Sequence, residues 1–337
     1  MLVLCIDIFT YFTVLKLSMK KFSIILAGTL LLMVFAGRNS MAQQDPQFTQ
    51  NMFNHLAFNP GFAGSMNMLS ATAINRQQWM GLEGNPKTTL FSLHTPVKPL
   101  GIPSGVGITF MDDRLGFEKN MAFELQYAYR LSLGSGSLGI GLNAGLLSKA
   151  LNGKWVIPDS DKHIPATQDP AIPDEQVSTM AFDLGFGLFY STDRFYAGLS
   201  SQHLHQPLID YGSGAMTRMI RHYYGTVGYL IKLPNPVFEI QPSLYVKTDV
   251  ASFQADVNAM VIYNKKFWGG VSYRLGDAVA FMAGTELANG MKVGISYDFT
   301  TSAIGAYSNG TVEFMVGYNF EVGTEKFNQR YRSVRFL

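Results

Sequence analysis

The side chains able to do chemistry are few and scattered. His203-Leu204-His205 sets two imidazoles two residues apart, on one face of an extended segment. Imidazole is a common metal ligand, but a metal site needs further donors and none is evident beside this pair. Two polar loop or rim histidines are the plainer reading. Asp159, Asp161, Asp169 and Asp174 offer the oxygen donors that calcium takes. Their spacing is not that of a helix–loop–helix calcium loop. Pro158, Pro165, Pro170 and Pro173 run through the same stretch, which reads as an exposed loop. No G-x-S-x-G elbow, P-loop or G-x-G-x-x-G before a helix is present, so the common acyl-transfer and nucleotide motifs are missing. No catalytic, cofactor-binding or metal-binding residue is expected.

The elements that would carry these residues read as strands. Phe123, Leu125, Tyr127, Tyr129 and Leu131 alternate with Glu124, Gln126, Ala128 and Arg130. Leu138–Leu146 alternates aliphatic residues with Gly139, Gly141, Asn143 and Gly145. The same period of two runs through 182–190, 293–299 and 312–320, and it is the mark of a strand with two unlike faces. Candidate strands fall near 68–79, 86–97, 103–111, 120–132, 137–148, 179–190, 194–203, 221–232, 237–248, 253–264, 267–275, 278–288, 291–299 and 310–321.

Fourteen such strands suit a soluble sandwich or a membrane barrel. Three features favour the barrel. The non-apolar face is rich in Gly. Tyr190, Tyr196, Tyr223, Tyr263 and Trp268 sit near strand ends, as an aromatic girdle does. The pattern also persists to the end of the chain. The expectation is an all-β, transmembrane antiparallel β-barrel with a short N-terminal segment and a periplasmic C-terminal tail. Even strand number puts both termini in the periplasm and makes every second connection short. Those at 98–102, 133–136, 191–193, 233–236, 265–266 and 289–290 are short, and Asn289-Gly290 is a hairpin signal. The long ones, 149–178 and 204–220, fall in the outward set. Glu124, Arg130, Asp183, Lys247, Asp256 and Arg274 then face the lumen, where salt-bridged packing is favoured over a pore-selectivity device.

Composition agrees. Of 337 residues, 15% are charged and 47% hydrophobic, against about 25% charged in a typical soluble domain. Disordered chains show the reverse balance, and a net charge of +2 does not suit a nucleic-acid binder. Lys20-Lys21, the apolar run Phe22–Ala36 and Ser40-Met41-Ala42 read as a signal peptide over 1–42. Met19 is the expected start, making 1–18 an extension; a retained anchor is the other reading. Without Lys16, Lys20, Lys21, Arg38 and Asp7, 22 basic and 23 acidic residues leave −1. Cys5, the lone cysteine, also leaves, so no disulfide framework is expected.

Two flanks remain around a barrel at 68–321. In 43–67, Phe48, Met52, Phe53 and Leu56 share a helical face, and Asn59-Pro60-Gly61 ends it. Phe48, Met52, Phe53, Asn59 and Pro60 are the candidate plug residues; a cap on one barrel end is the plainer role. The tail at 322–337 carries Lys326, Arg330, Arg332, Arg335 and Phe336, candidates for docking a periplasmic partner.

Gln44-Asp45-Pro46-Gln47-Phe48, Asn59-Pro60-Gly61-Phe62-Ala63-Gly64-Ser65 and Arg76-Gln77-Gln78-Trp79-Met80-Gly81 resemble the opening of the PorP/SprF family of Bacteroidetes. The resemblance continues through Phe182–Gly187, Tyr196–Ser200, Arg221–Tyr224, Tyr263–Arg274 and Ser296–Thr300, and ends at Arg335-Phe336-Leu337. It covers essentially all of 43–337. Gly61 departs from the Ala expected after Asn-Pro, which should only loosen the turn. The resemblance implies an outer-membrane component of type IX secretion and gliding motility that exports or surface-attaches large adhesins. Its implied partners are outer-membrane lipid, the periplasmic ring and other secretion components, and an adhesin or its C-terminal signal domain. It brings no catalytic residues and no nucleic acid. The N-terminal segment is also similar to the fatty-acid porin type, in which a plug sits in a fourteen-stranded barrel, so transport of hydrophobic small molecules is the alternative. An outer-membrane lipase would need a Ser or His constellation that the sequence lacks.

Overall fold

The computed structural model describes residues 45–66, 68–152, 177–211 and 216–320. The expected leader, Asp159, Asp161, Asp169 and Asp174, and the tail residues Lys326, Arg330, Arg332, Arg335 and Phe336 lie outside the described residues.

Seven strands run first: β1 (Leu69–Gln77), β2 (Lys87–Val97), β3 (Ser104–Leu115), β4 (Glu118–Leu133), β5 (Gly136–Leu151), β6 (Val177–Ser191) and β7 (Phe195–Gln202). A small hairpin of β8 (Leu208–Asp210) and β9 (Met216–Arg218) pairs only with itself. Then come β10 (His222–Tyr229), its continuation β11 (Ile231–Lys232), β12 (Phe238–Thr248), β13 (Phe253–Tyr263), β14 (Phe267–Arg274), β15 (Ala278–Glu286), β16 (Met291–Thr300) and β17 (Thr311–Phe320). β1 pairs with β17 and β10 with β12, closing one sheet of fourteen antiparallel strands. Closure leaves no edge for another chain to extend. The expected strand 221–232 is interrupted at Leu230. Extending the register on either side sets Tyr229 opposite Pro242, which has no N–H to give the ladder.

The two faces are inverted relative to a soluble sheet. On β4, Phe123 and Leu125 are 45% and 54% exposed while Glu124 and Gln126 are buried. On β16 and β17, Ile295, Phe299, Phe314 and Val316 face out while Ser296, Asp298 and Glu313 are buried. An apolar outside around a polar inside is the arrangement that lipid demands of a barrel. Of the expected girdle, Tyr223 and Tyr263 do face outward, but Tyr196 and Trp268 point inward and are buried. Each has an aromatic partner inside: Trp268 packs on Phe53 and Tyr196 on His55.

The two longest connections, after β5 and β7, share one end, which also carries short links such as Gly116-Phe117 between β3 and β4. The opposite end carries tight turns, among them that at Asn289-Gly290, where Gly290 has φ +85 and its N–H reaches Leu287 O at 2.9 Å. The connection after β7 is more than an open loop, because Ile209 and Met219 pack on Ala122 of β4 and Leu147 of β5.

Candidate functional site

The barrel interior is filled by the segment from Asp45 to Met66. It enters beside the long-connection end of β7, β10 and β12, where Asp45 meets His203 and Lys247. It leaves at the tight-turn end, where Gly64 N–H donates to His94 Nδ1 at 3.2 Å. The expected helical face resolves into three short 3-10 turns, Asn51–Phe53, His55–Ala57 and Pro60–Phe62. The last begins as its sequence dictates. Asn59 Oδ1 accepts from Gly61 N–H at 2.9 Å, and Pro60 occupies the first turn, where a missing N–H is harmless. Asn59 Nδ2 also donates to Leu188 O at 3.0 Å, joining this turn to the wall.

The Gly-rich inner face makes this fit possible. A Cβ on Gly105 would strike Ala63, and one on Gly139 or Gly141 would strike the backbone of Pro60-Gly61. Gly61 itself has backbone atoms of Gly139, Gly187 and Phe189 within 2.9 Å of where its own Cβ would stand. The glycine that departs from the expected Ala is therefore a requirement of close approach, not a loosened turn.

Charge holds the first part of the segment. Thr49 Oγ1 donates to Asp298 at 2.7 Å and accepts from Arg76 Nη1 at 3.0 Å and Arg274 Nη2 at 3.2 Å. The N–H groups of Thr49 and Gln50 donate to the two oxygens of Glu313 at 2.9 and 2.8 Å. Arg76 bridges Asp298 and Glu313, and Arg274 bridges Asp256 and Asp298. Gln47 Nε2 donates to Asp256 at 2.9 Å. All these side chains are buried, so the network must satisfy its own charges.

Apolar packing completes the fit. Phe48 and Met52 join an inner patch of Ile74, Leu90, Met260, Trp268, Met282 and Met315. Burial of such a side chain stabilises by about 1.5–3 kcal/mol. Leu56 and Phe62 pack on Phe189 and Tyr196. His55 lies among the rings of Phe58, Phe62, Phe189 and Tyr196.

A second polar cluster surrounds Asp45. His203 Nε2 lies 3.1 Å from Asp45 Oδ1, and its Nδ1 lies 2.9 Å from Asp183 Oδ2. Burial opposes charge on His203, yet the two carboxylates outweigh it and push the pKa up to about 10. Burial likewise works against ionisation of Asp45, but His203 and His222 hold its carboxyl well below the usual range. Tyr224 Oη bonds the same carboxylate, and Lys247 Nζ donates to Asp45 O at 2.9 Å.

A family model described as "Type IX secretion system membrane protein PorP/SprF" matches residues 40–318. The chain belongs to the PorP/SprF family. Fold and family together support an outer-membrane location, and the family implies association with other type IX secretion components. No curated protein is significantly similar to this PorP/SprF chain. Among solved structures, a monoaromatic hydrocarbon channel, CymD, is 10% identical over 86% of this chain and 97% of its own, with TM-score 0.48. The Acinetobacter baumannii outer membrane protein Omp33 is 7% identical over 76% and 100%, TM-score 0.45. A Pseudomonas aeruginosa FadL homologue is 11% identical over 85% and 97%, TM-score 0.42.

In this PorP/SprF barrel, Phe48, Met52, Asn59 and Pro60 are buried in the lumen, and Phe53 is partly buried against Trp268. Of the expected lumen charges, Asp256 and Arg274 form an ion pair. Arg130 donates to Ala63 O and Ser137 Oγ, and Glu124 accepts from Thr109 and Gln126, so these two use hydrogen bonds. His203 is a buried residue rather than a rim one, and its companion is His222, with ring centroids 5.9 Å apart. His205 instead lies beside Phe182. The sequence assigns no site role to Asp45, Thr49, Arg76, His222, Asp298 or Glu313. Asp45, Arg76, His222 and Asp298 stand there only within the motifs of the family resemblance, and Asp298 and Glu313 as polar residues on an inner strand face.

Proposed function

We propose that the chain is a non-enzymatic outer-membrane component of the type IX secretion and gliding machinery, supporting export or surface attachment of cargo proteins. The observation that carries this reading, beside family membership, is the occupied lumen. Residues 45–66 thread the barrel and are bonded to its wall from Asp45 to Gly64. A plug held by buried ion pairs suits a scaffold better than an open conduit. Cargo then passes beside the barrel or is handed to it. The tight-turn end faces the periplasm, and the basic tail with Lys326, Arg330, Arg332, Arg335 and Phe336 meets the periplasmic ring there. The long connections face outward, toward an adhesin or its C-terminal signal domain.

The test is a strain lacking the gene, complemented with the full chain. Surface adhesin should vanish and return, while uptake of a labelled hydrophobic compound into liposomes bearing the purified barrel stays at background. Normal adhesin display together with rapid uptake would replace this reading with a transporter of hydrophobic small molecules.

A further inference from the structure

We propose that Asp45, His203 and His222 bind a single divalent transition-metal ion, best matched to Zn2+, which ties the start of the lumen segment to the barrel wall. The three ligands come from three places: the segment, the end of β7 and the start of β10. Each offers one ligand atom, and these atoms all lie within 4.8 Å of one another. Two imidazole nitrogens with one carboxylate suit zinc and leave a fourth position open, whereas calcium and magnesium prefer all-oxygen sets.

One outer partner fits as well. A metal-bound imidazole normally donates its other N–H to a carboxylate or carbonyl, which fixes its tautomer and orientation. His203 presents Nε2 to Asp45 and has Asp183 Oδ2 at 2.9 Å from its Nδ1. At His222 it is Nδ1 that faces Asp45 Oδ2, 3.6 Å away, so taking the ion there replaces its 2.9 Å contact with Ile220 O. Asp45 and Asp183 together bring two negative charges to balance the ion. Beside Asp45 and His203 lies a cavity of about 30 Å³, lined also by Met111, Asp113, Lys149 and Met219. That space is large enough for one water, the usual fourth ligand of an open zinc site.

This site stands apart from the secretion role, and its test needs only purified protein. Chelator-stripped barrel in detergent is titrated with Zn2+ by calorimetry, and with Co2+ by visible absorption. A single saturable equivalent with the intense bands of tetrahedral Co2+ is expected. His203→Gln and His222→Gln should abolish it. Asp183→Asn should weaken it about 10–100-fold, and His205→Gln should leave it intact. Circular dichroism establishes that each variant keeps its strands; should His203→Gln not fold, His222→Gln and Asp183→Asn carry the comparison. Absence of stoichiometric binding, or equal binding by the folded His222→Gln and Asp183→Asn variants, overturns the site.

Discussion

Thr49 and Asp298 stand 249 residues apart in the chain, and a hydrogen bond of 2.7 Å joins their side chains inside the barrel. The Thr49 hydroxyl gives its one proton to Asp298 and receives from both Arg76 and Arg274. It is the point where the lumen segment enters the charge network of the wall. Hydrogen bonds to charged groups are worth about 1.5–3 kcal/mol each. Thr49→Val keeps the shape and removes the hydroxyl, so it should loosen the segment by about 2–3 kcal/mol and leave the strands intact. Hydrogen exchange should then quicken at 45–54 and stay slow in β1 and β16. Unchanged protection at 45–54 would refute the assignment.

Arg76 and Glu313 test the network from the wall side. Arg76→Met takes the cation from Glu313 and leaves Asp298 with Arg274 alone, and breaking one side of such a buried pair costs about 3–5 kcal/mol. Arg76→Met with Glu313→Gln removes charge from both sides and should recover part of that loss. Urea unfolding of the two single variants and the double in lipid vesicles gives the coupling, expected at about 1–3 kcal/mol. Strict additivity would mean that the two groups do not communicate.

The basic tail makes a separate prediction. Truncation after Glu321 should leave membrane insertion unchanged and abolish capture of periplasmic secretion components. Replacing Lys326, Arg330, Arg332 and Arg335 with Gln should act the same way, and capture by the intact tail should weaken with salt as exposed charge contacts do. Recovery of every periplasmic partner by the truncated barrel would end the docking role.

The strands were legible because lipid outside and polar atoms inside write a period of two into every one of them. All fourteen barrel strands lie within a few residues of their expected places, and β10 breaks where Pro242 faces it. The Gly-rich face pointed to a crowded lumen, and Gly139 and Gly141 do admit the backbone of Pro60-Gly61. The polar partners were another matter. Asp45 meets His203 across 158 residues and Thr49 meets Asp298 across 249. No local period reports a contact made by threading a segment through a closed sheet. Each such partner looked like an ordinary inward polar residue until the segment was in place. His203 and His205 share a strand-like spacing, but the chain turns after Gln202, with His203 at φ +56, and separates them.

The glycine wall offers the sharpest test of a closed lumen. Gly141→Ala places a Cβ against the backbone of Pro60 and Gly61, atoms that cannot move aside as a flexible side chain would. Overpacking of this kind costs about 1–3 kcal/mol, and Gly139→Ala with Gly141→Ala should exceed that and force the segment off the wall. Gly317 lies on the same inner face, but a Cβ there meets its nearest atoms at 3.6 Å or more, so Gly317→Ala should be silent. In planar bilayers the original barrel and Gly317→Ala should conduct little, whereas the Gly139/Gly141 double variant should open ion-conducting channels. Equal conductance in all three would mean that the segment does not seal the lumen. A wall that tolerates a methyl group where the segment does not touch, and rejects one where it does, is what distinguishes a fitted plug from a loosely resting strand of chain.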